Sequence, residues 1–263
     1  MEIGISTACL YPTEAEKSLS CLLEMGFHKF EVFLNTFSET EPEFLSFMSK
    51  ELQKYGAEVL SIHPFTSAFE NMLFFSDYPR RTEDSLKFYH RFFEAAQRLG
   101  AEYLVLHGQR NYRKGRITEE EYLENYHRLF REGQRFGITV AQENVVDFRS
   151  EKADFIQRMS DCLQEECAFV LDIKQAVRAG ESPIEMCRAM KGRMVHLHLN
   201  DHMPGKDCLL PGQGNFDFSL LFQTLKEWGY TGDGVIEVYR NNFSVLPELE
   251  TARKFLCRIA EKV

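Results

Sequence analysis

Seven ionisable residues, Glu31, His63, His107, Glu143, Asp172, His198 and Glu237, recur at intervals of 26 to 44 residues, each at or near the end of a short apolar run. Charged groups are rarely buried without partners, so acids and imidazoles closing apolar runs point to mutual pairing or to a metal. The last four, Glu143, Asp172, His198 and Glu237, supply three carboxylates and one imidazole. This set of hard oxygens with one nitrogen suits a single divalent cation, Mn²⁺, Mg²⁺, Co²⁺ or Zn²⁺, with room left for substrate oxygens. Without a cation, crowded carboxylates repel and raise one another's pKa. A metal-free alternative pairs them with Lys174, Arg178 or Arg240. His63 and His107 have three roles open: ligands to a second metal, hydrogen-bond partners of substrate hydroxyls, or satisfied core residues. Glu31 reads as a supporting partner, a surface acid or a direct participant.

Residues so far apart in sequence meet only if the elements carrying them converge. The stretch MVHLHLND, residues 194–201, has strand character. Alternation puts His196 and His198 on one face and Val195, Leu197 and Leu199 on the other. Around it the pattern predicts strands at 3–6, 29–34, 58–64, 101–108, 138–144, 167–173, 194–201 and 235–239. Helical spacing fills the intervals 13–25, 41–55, 81–99, 118–136, 152–163, 183–190, 218–228 and 246–260, with Thr118 and Glu121 as a capping box. The aromatic-rich segment 65–79 is a long connection of the kind used as a lid or binding loop. Eight strand–helix alternations without a linker predict one (β/α)8 barrel domain over residues 1–263. In such a barrel the strand ends gather at one mouth. A doubly wound open sheet is the runner-up, weakened because no G-x-G-x-x-G follows the first strand. Gly212-Gln213-Gly214 comes late, in a loop, and signals only a turn.

Composition narrows the partners. The chain has 263 residues, 44% of them hydrophobic, enough for one sizeable core. The seven cysteines form no C-x-x-C pair, which argues for reduced, mostly buried thiols in a cytoplasmic protein. No run approaches the apolar length of a membrane helix, and a soluble, non-secreted protein is expected. A net charge of −9 argues against nucleic acid as a partner. The basic cluster Arg110, Arg113, Lys114 and Arg116 reads as a solvated loop. Assembly into a homo-oligomer is left open.

The short motifs SIHP at His63, VLHG at His107, QEN at Glu143, LDIKQA at Asp172, HLND from His198, PGQGNFDF after it and IEVY at Glu237 come in a telling order. In that order the chain resembles the xylose isomerase-like barrel superfamily, the sugar phosphate isomerase and epimerase group that also contains endonuclease IV. The resemblance implies a metal held by Glu143, Asp172, His198 and Glu237. Two departures bear on activity: endonuclease IV expects a histidine where this chain has Gln175, and an Asp-x-His pair in a loop that here, from Met203 to Phe218, contains no histidine. A three-metal site is therefore not expected. The epimerases usually carry a substrate-touching histidine where this chain has Lys174 or Gln175.

The leading expectation is a metal-dependent isomerase or epimerase of a small sugar, sugar phosphate or related polyhydroxy carbonyl compound, working through an enediolate. Glu143 and Glu237 would exchange the proton, and His63, His107, Lys174 and Arg240 would contact substrate. The alternative is a metal-dependent hydrolase, a dehydrating enzyme or an endonuclease IV-like phosphodiesterase, with a dinuclear site that adds His63 and His107. A barrel that binds a sugar or metal without turnover is the third reading.

Overall fold

The apolar runs form eight short strands: β1 (Ile3–Ser6), β2 (Lys29–Leu34), β3 (Glu58–Pro64), β4 (Tyr103–Leu106), β5 (Thr139–Glu143), β6 (Phe169–Asp172), β7 (Met194–Leu199) and β8 (Gly234–Ile236). The structure is a computed structural model that describes residues 1–111, 117–190 and 192–263. Each strand pairs in parallel with the next, and β8 pairs back onto β1, so the sheet closes into a barrel. Closure rules out the open doubly wound sheet and confirms the (β/α)8 expectation.

The helices around the barrel are α1 (Ala15–Glu24), α2 (Pro42–Tyr55), the single turn α3 (Glu70–Leu73), α4 (Pro79–Leu99), α5 (Glu119–Arg135), α6 (Ala153–Leu163), α7 (Ile173–Arg178), α8 (Pro183–Met190), α9 (Phe218–Glu227) and α10 (Pro247–Ala260). Their starts follow ordinary capping chemistry. Proline opens α2 and α4, where a missing N–H leaves no bond unmade. At α5 the Thr118–Glu121 capping box forms as expected. Gly100 ends α4 in the left-handed region, φ +76°, and turns the chain into β4.

Alternation along each strand divides the core. Leu104, Leu106, Val140, Leu171 and Leu197 are buried with the helix residues Phe92, Phe93, Ala96 and Leu129. The other face looks inward and is unusually polar. Ser6 pairs in register with Glu31, and Glu31 with Ser61. Asp172 pairs with His198, and His198 with Val235. Glu31, Ser61, His196 and His198 are all buried.

Two short elements depart from the expected loops. Helix α7 starts directly at the end of β6, because the Asp172 side chain accepts the Gln175 N–H and caps it. After β7, Asp201–Met203 pairs with Lys206–Leu209 as an antiparallel hairpin. All seven cysteines are free thiols, four of them buried. Among the described residues no helix is long and apolar enough to cross a membrane. Of the basic cluster, Arg110 lies over the Phe148 ring at 5.1 Å, while Arg113, Lys114 and Arg116 fall outside the described residues.

Candidate metal centre and active site

His198 stands at the centre of the convergence. Its Nε2 lies 3.0 Å from Glu31 Oε2, so the carboxylate fixes Nε2 as the protonated nitrogen and turns Nδ1 the other way. Nδ1 faces three carboxylates: Glu237 Oε2 at 3.4 Å, Glu143 Oε1 at 3.5 Å and Asp172 Oδ2 at 3.7 Å. Burial by itself would lower the His198 pKa, but Glu31 and then Glu237 outweigh it and hold the imidazole well above its ordinary value. The metal-free site therefore keeps a proton where a cation would relieve it.

Asp172 divides its two oxygens between structure and site. Oδ1 accepts the Gln175 N–H at 3.2 Å and the Asn200 side-chain amide at 3.1 Å. Asn144 clamps the backbone on either side, donating to the Asp172 carbonyl at 3.0 Å and accepting its N–H at 2.8 Å. Oδ2 is left facing His198 and the Lys174 ammonium, which stands 2.8 Å from it and 2.7 Å from Glu237 Oε2. Burial opposes ionisation of Asp172, yet Lys174 overcomes it and the carboxyl lies below its ordinary range. The metal-free alternative from sequence is thus half met: Lys174 pairs with Asp172 and Glu237, whereas Arg178 binds Asp207 at 2.6 Å. Arg240 donates to the Phe243 carbonyl at 3.0 Å and lies over that ring, so it is engaged outside the cluster.

Glu143 links this group to the two remaining histidines. Its Oε2 is 2.9 Å from His107 Nε2 and 3.7 Å from His63 Nε2, and the two imidazole Nε2 atoms are 2.9 Å apart. His63 Nδ1 faces the Pro64 carbonyl at 3.1 Å, and its ring stacks on Phe33. One proton can sit between the two Nε2 atoms. Burial would raise the Glu143 pKa, but His107, His198 and His63 together hold it well below the carboxylate range. Burial lowers His63 and Glu143 raises it, with a net rise.

The donor chemistry fits a divalent cation. Glu143 Oε2, Asp172 Oδ2 and His198 Nδ1 are buried and lack an aligned hydrogen bond. Ligand atoms of the same three residues lie within 4.8 Å of one another. Lys174 and His107 offset charge here without aligned hydrogen bonds to these oxygens, and a shared ion would satisfy all three atoms. Glu237 joins from the rim through His198 and Lys174. A second group with the same spacing is His63, His107 and Glu143.

A cavity of about 230 Å³ opens beside His107, lined also by Ser67, Phe148, Gln175 and Arg178. The larger cavity, about 510 Å³, lies at the opposite end of the strands, where Lys29 is paired with Glu58 at 2.6 Å and Asp233 at 3.3 Å.

Several contributors escaped the sequence reading. Glu70, buried in the aromatic segment, accepts the Gly108 N–H at 2.5 Å and the Tyr89 hydroxyl at 3.3 Å, tying that segment to the residue after His107. Burial raises its pKa, against His107. Asn144 and Asn200 were not singled out as site residues. Asp201, which the sequence places in the loop just beyond His198, accepts four backbone N–H groups, from His202, Gly212, Gly214 and Phe216. A Cβ on Gly214 would sit 2.4 Å from Asp201 Oδ1, so the loop can close on the carboxylate only with glycine there.

An uncharacterised protein of Mycobacterium leprae is 24% identical to this chain, over 95% of it and 93% of the relative. Among solved structures, a D-tagatose 3-epimerase-like protein superposes with a TM-score of 0.81 at 19% identity, covering 100% of this chain and 98% of that one. The IOLI protein, solved with a zinc atom, superposes at 0.77 with 17% identity, covering 100% and 99%. Residues 20–259 match the family model described as xylose isomerase-like TIM barrel, and the chain belongs to that family.

Proposed function

We propose that the protein is a divalent-metal-dependent isomerase or epimerase of a small sugar or related polyhydroxy carbonyl compound. The observation that carries this reading is the set of three buried ligand atoms without an aligned hydrogen bond, from Glu143, Asp172 and His198, gathered at the C-terminal mouth of the barrel. Glu143, Asp172, His198 and Glu237 would hold one cation, which supplies Lewis-acid stabilisation to substrate oxygens that gain negative charge. The solved epimerase-like and zinc-containing barrels of the same shape support it.

The chain's own groups are suited to proton transfer. Glu143, held ionised by its histidine neighbours, is the base that takes the proton from carbon. Glu237, partly open at the rim and facing the same His198 nitrogen as Glu143, returns or receives the proton. His107 at the edge of the small cavity, with His63 behind it, orients hydroxyls. Lys174 stands between Asp172 and Glu237. Burial keeps bulk water from trapping the enediolate.

Glu143→Gln is expected to abolish exchange of the substrate's carbon-bound proton with D₂O across a panel of aldoses and ketoses, while metal remains at least partly bound. Unchanged exchange would refute the assignment. The His63–His107–Glu143 group favours a second reading, a dinuclear hydrolase. Elemental analysis separates the two: about one ion per chain, lost in His198→Ala, supports the isomerase, and two zinc ions support the hydrolase.

A further inference from the structure

We infer that Lys174 is a tethered competitor for the metal: its ammonium occupies the ligand oxygens of Asp172 and Glu237 until a divalent cation displaces it. The inference rests on the metal reading above and concerns what fills the site before the metal arrives. Lys174 Nζ stands 2.8 Å from Asp172 Oδ2 and 2.7 Å from Glu237 Oε2. The lysine side chain is only 3% exposed. These are two of the four groups expected to ligate, and Asp172 Oδ2 is among the atoms without an aligned hydrogen bond. The ammonium donates an aligned hydrogen bond to Glu237 Oε2 but meets Asp172 Oδ2 only as a charge.

An ion bonded to either oxygen at about 2.1 Å would lie within about 5 Å of Nζ. Two cations that close, in a site shielded from water, repel strongly. Metal and ammonium therefore cannot both keep their places. A second seat lies close by, because Nζ is already 5.3 Å from the centre of the Tyr239 ring at the rim, a ring that Arg178 also lies over at 5.4 Å. A short swing toward that ring keeps a cation–π contact while releasing both carboxylates. Arg178 and Arg240 cannot play this part, being held by Asp207 and by Phe243. Once displaced, the lysine would stand at the mouth, where a substrate oxygen arrives.

The test compares demetallated wild type with Lys174→Met and Lys174→Arg, titrated with Mn²⁺ and with Zn²⁺ against a chelating indicator, with thermal unfolding of each metal-free protein alongside. Lys174→Met should bind metal about tenfold tighter or more, since a unit charge at this range is removed. The same metal-free variant should melt lower than wild type, because Asp172 and Glu237 lose their buried counter-charge. Opposite signs in the two measurements are the signature, as a merely structural lysine would lower both. Lys174→Arg, which keeps the charge, should stay near the wild-type affinity, and it tests the idea even if the methionine variant fails to fold: marked tightening would overturn it. Wild-type binding with equal or weaker affinity in Lys174→Met would overturn the competitor alone. Absence of binding by every protein would overturn the metal reading with it.

Discussion

Glu31→Gln should weaken metal binding between tenfold and a hundredfold while the barrel stays folded. Glu31 Oε2 accepts the Ser61 hydroxyl at 2.8 Å and faces His198 Nε2 at 3.0 Å and His196 Nε2 at 3.4 Å, with none of its surface exposed. Glutamine preserves the volume and one acceptor oxygen, so His198 can still donate from Nε2 and keep Nδ1 turned toward the carboxylates. The negative charge behind the imidazole is what disappears. A hydrogen bond to a charged group contributes about 1.5–3 kcal/mol and a neutral one about 0.5–1.5, so roughly 1–2 kcal/mol of support for the ligand is removed. Carboxylates behind metal-binding histidines typically change affinity by about 10–100-fold, a range that overlaps this one. The assay is competition with a chelating indicator, with far-UV circular dichroism and thermal unfolding confirming the fold. Nitrogen NMR of His198 adds an independent readout, since Glu31→Leu, lacking any acceptor, should release the tautomer and lose more affinity than the glutamine variant. Wild-type affinity in Glu31→Gln would refute the reasoning. The sign is opposite to that for Lys174, because one substitution removes an anion from the site and the other a cation.

Two further outcomes follow from the same geometry. Asp201→Ala removes the acceptor of four backbone N–H groups in a buried setting, each about 1–3 kcal/mol if left unpaired, so unfolding free energy should fall by at least about 3 kcal/mol in urea titration; a loss under about 1 kcal/mol would contradict the anchoring role. In the metal-free protein, Glu31 and Glu143 are held well below the carboxylate range, so their contribution is present above the unfolded carboxylate pKa of about 4.3 and is lost only in strong acid. His63 and His198 are raised, so their contribution is full below about pH 6.5 and is lost as pH climbs through their folded values. Urea midpoints measured without metal should therefore fall from about pH 6.5 upward, and a flat profile to pH 9 would count against the protonated His198.

The strand ends could be read because each breaks an apolar run with one ionisable residue, and a period of two decides which face it takes. His196 and His198 needed only that rule to be placed inside the barrel, and Glu143 and Asp172 followed from the convergence of strand ends. Lys174 could be named as a candidate but not placed: whether it reaches Glu237 depends on how α7 leaves β6, and that turn depends on Asp172 serving as helix cap with one oxygen while the other faces the site. Glu70 gave no signal at all, since an acid among aromatics in a connection looks solvated until Tyr89 and the Gly108 N–H close on it. Arg240 follows a strand end closely, and the chain turns it onto Phe243, three residues ahead, a contact that its position alone does not announce.

These contrasts bear on how the site and the fold depend on each other. An interior filled by aliphatic side chains would stabilise a barrel of this kind without further help, but Glu31, Ser61 and His196 occupy that space here and form one hydrogen-bonded layer beneath His198. A buried carboxylate is tolerable only with partners, and the partners of Glu31 come from β3 and β7, on different sides of the closed sheet. The layer therefore ties strand to strand in the same act that orients the ligand nitrogen. Restoring an apolar interior with Glu31→Leu, Ser61→Val and His196→Leu together should leave a folded barrel whose His198 has lost its fixed tautomer, since buried polar groups removed as a set can be replaced at little net change in stability. A triple variant that folds and still binds metal at wild-type affinity would show that β7 backbone geometry alone aims His198, and that the polar layer serves the fold and not the site.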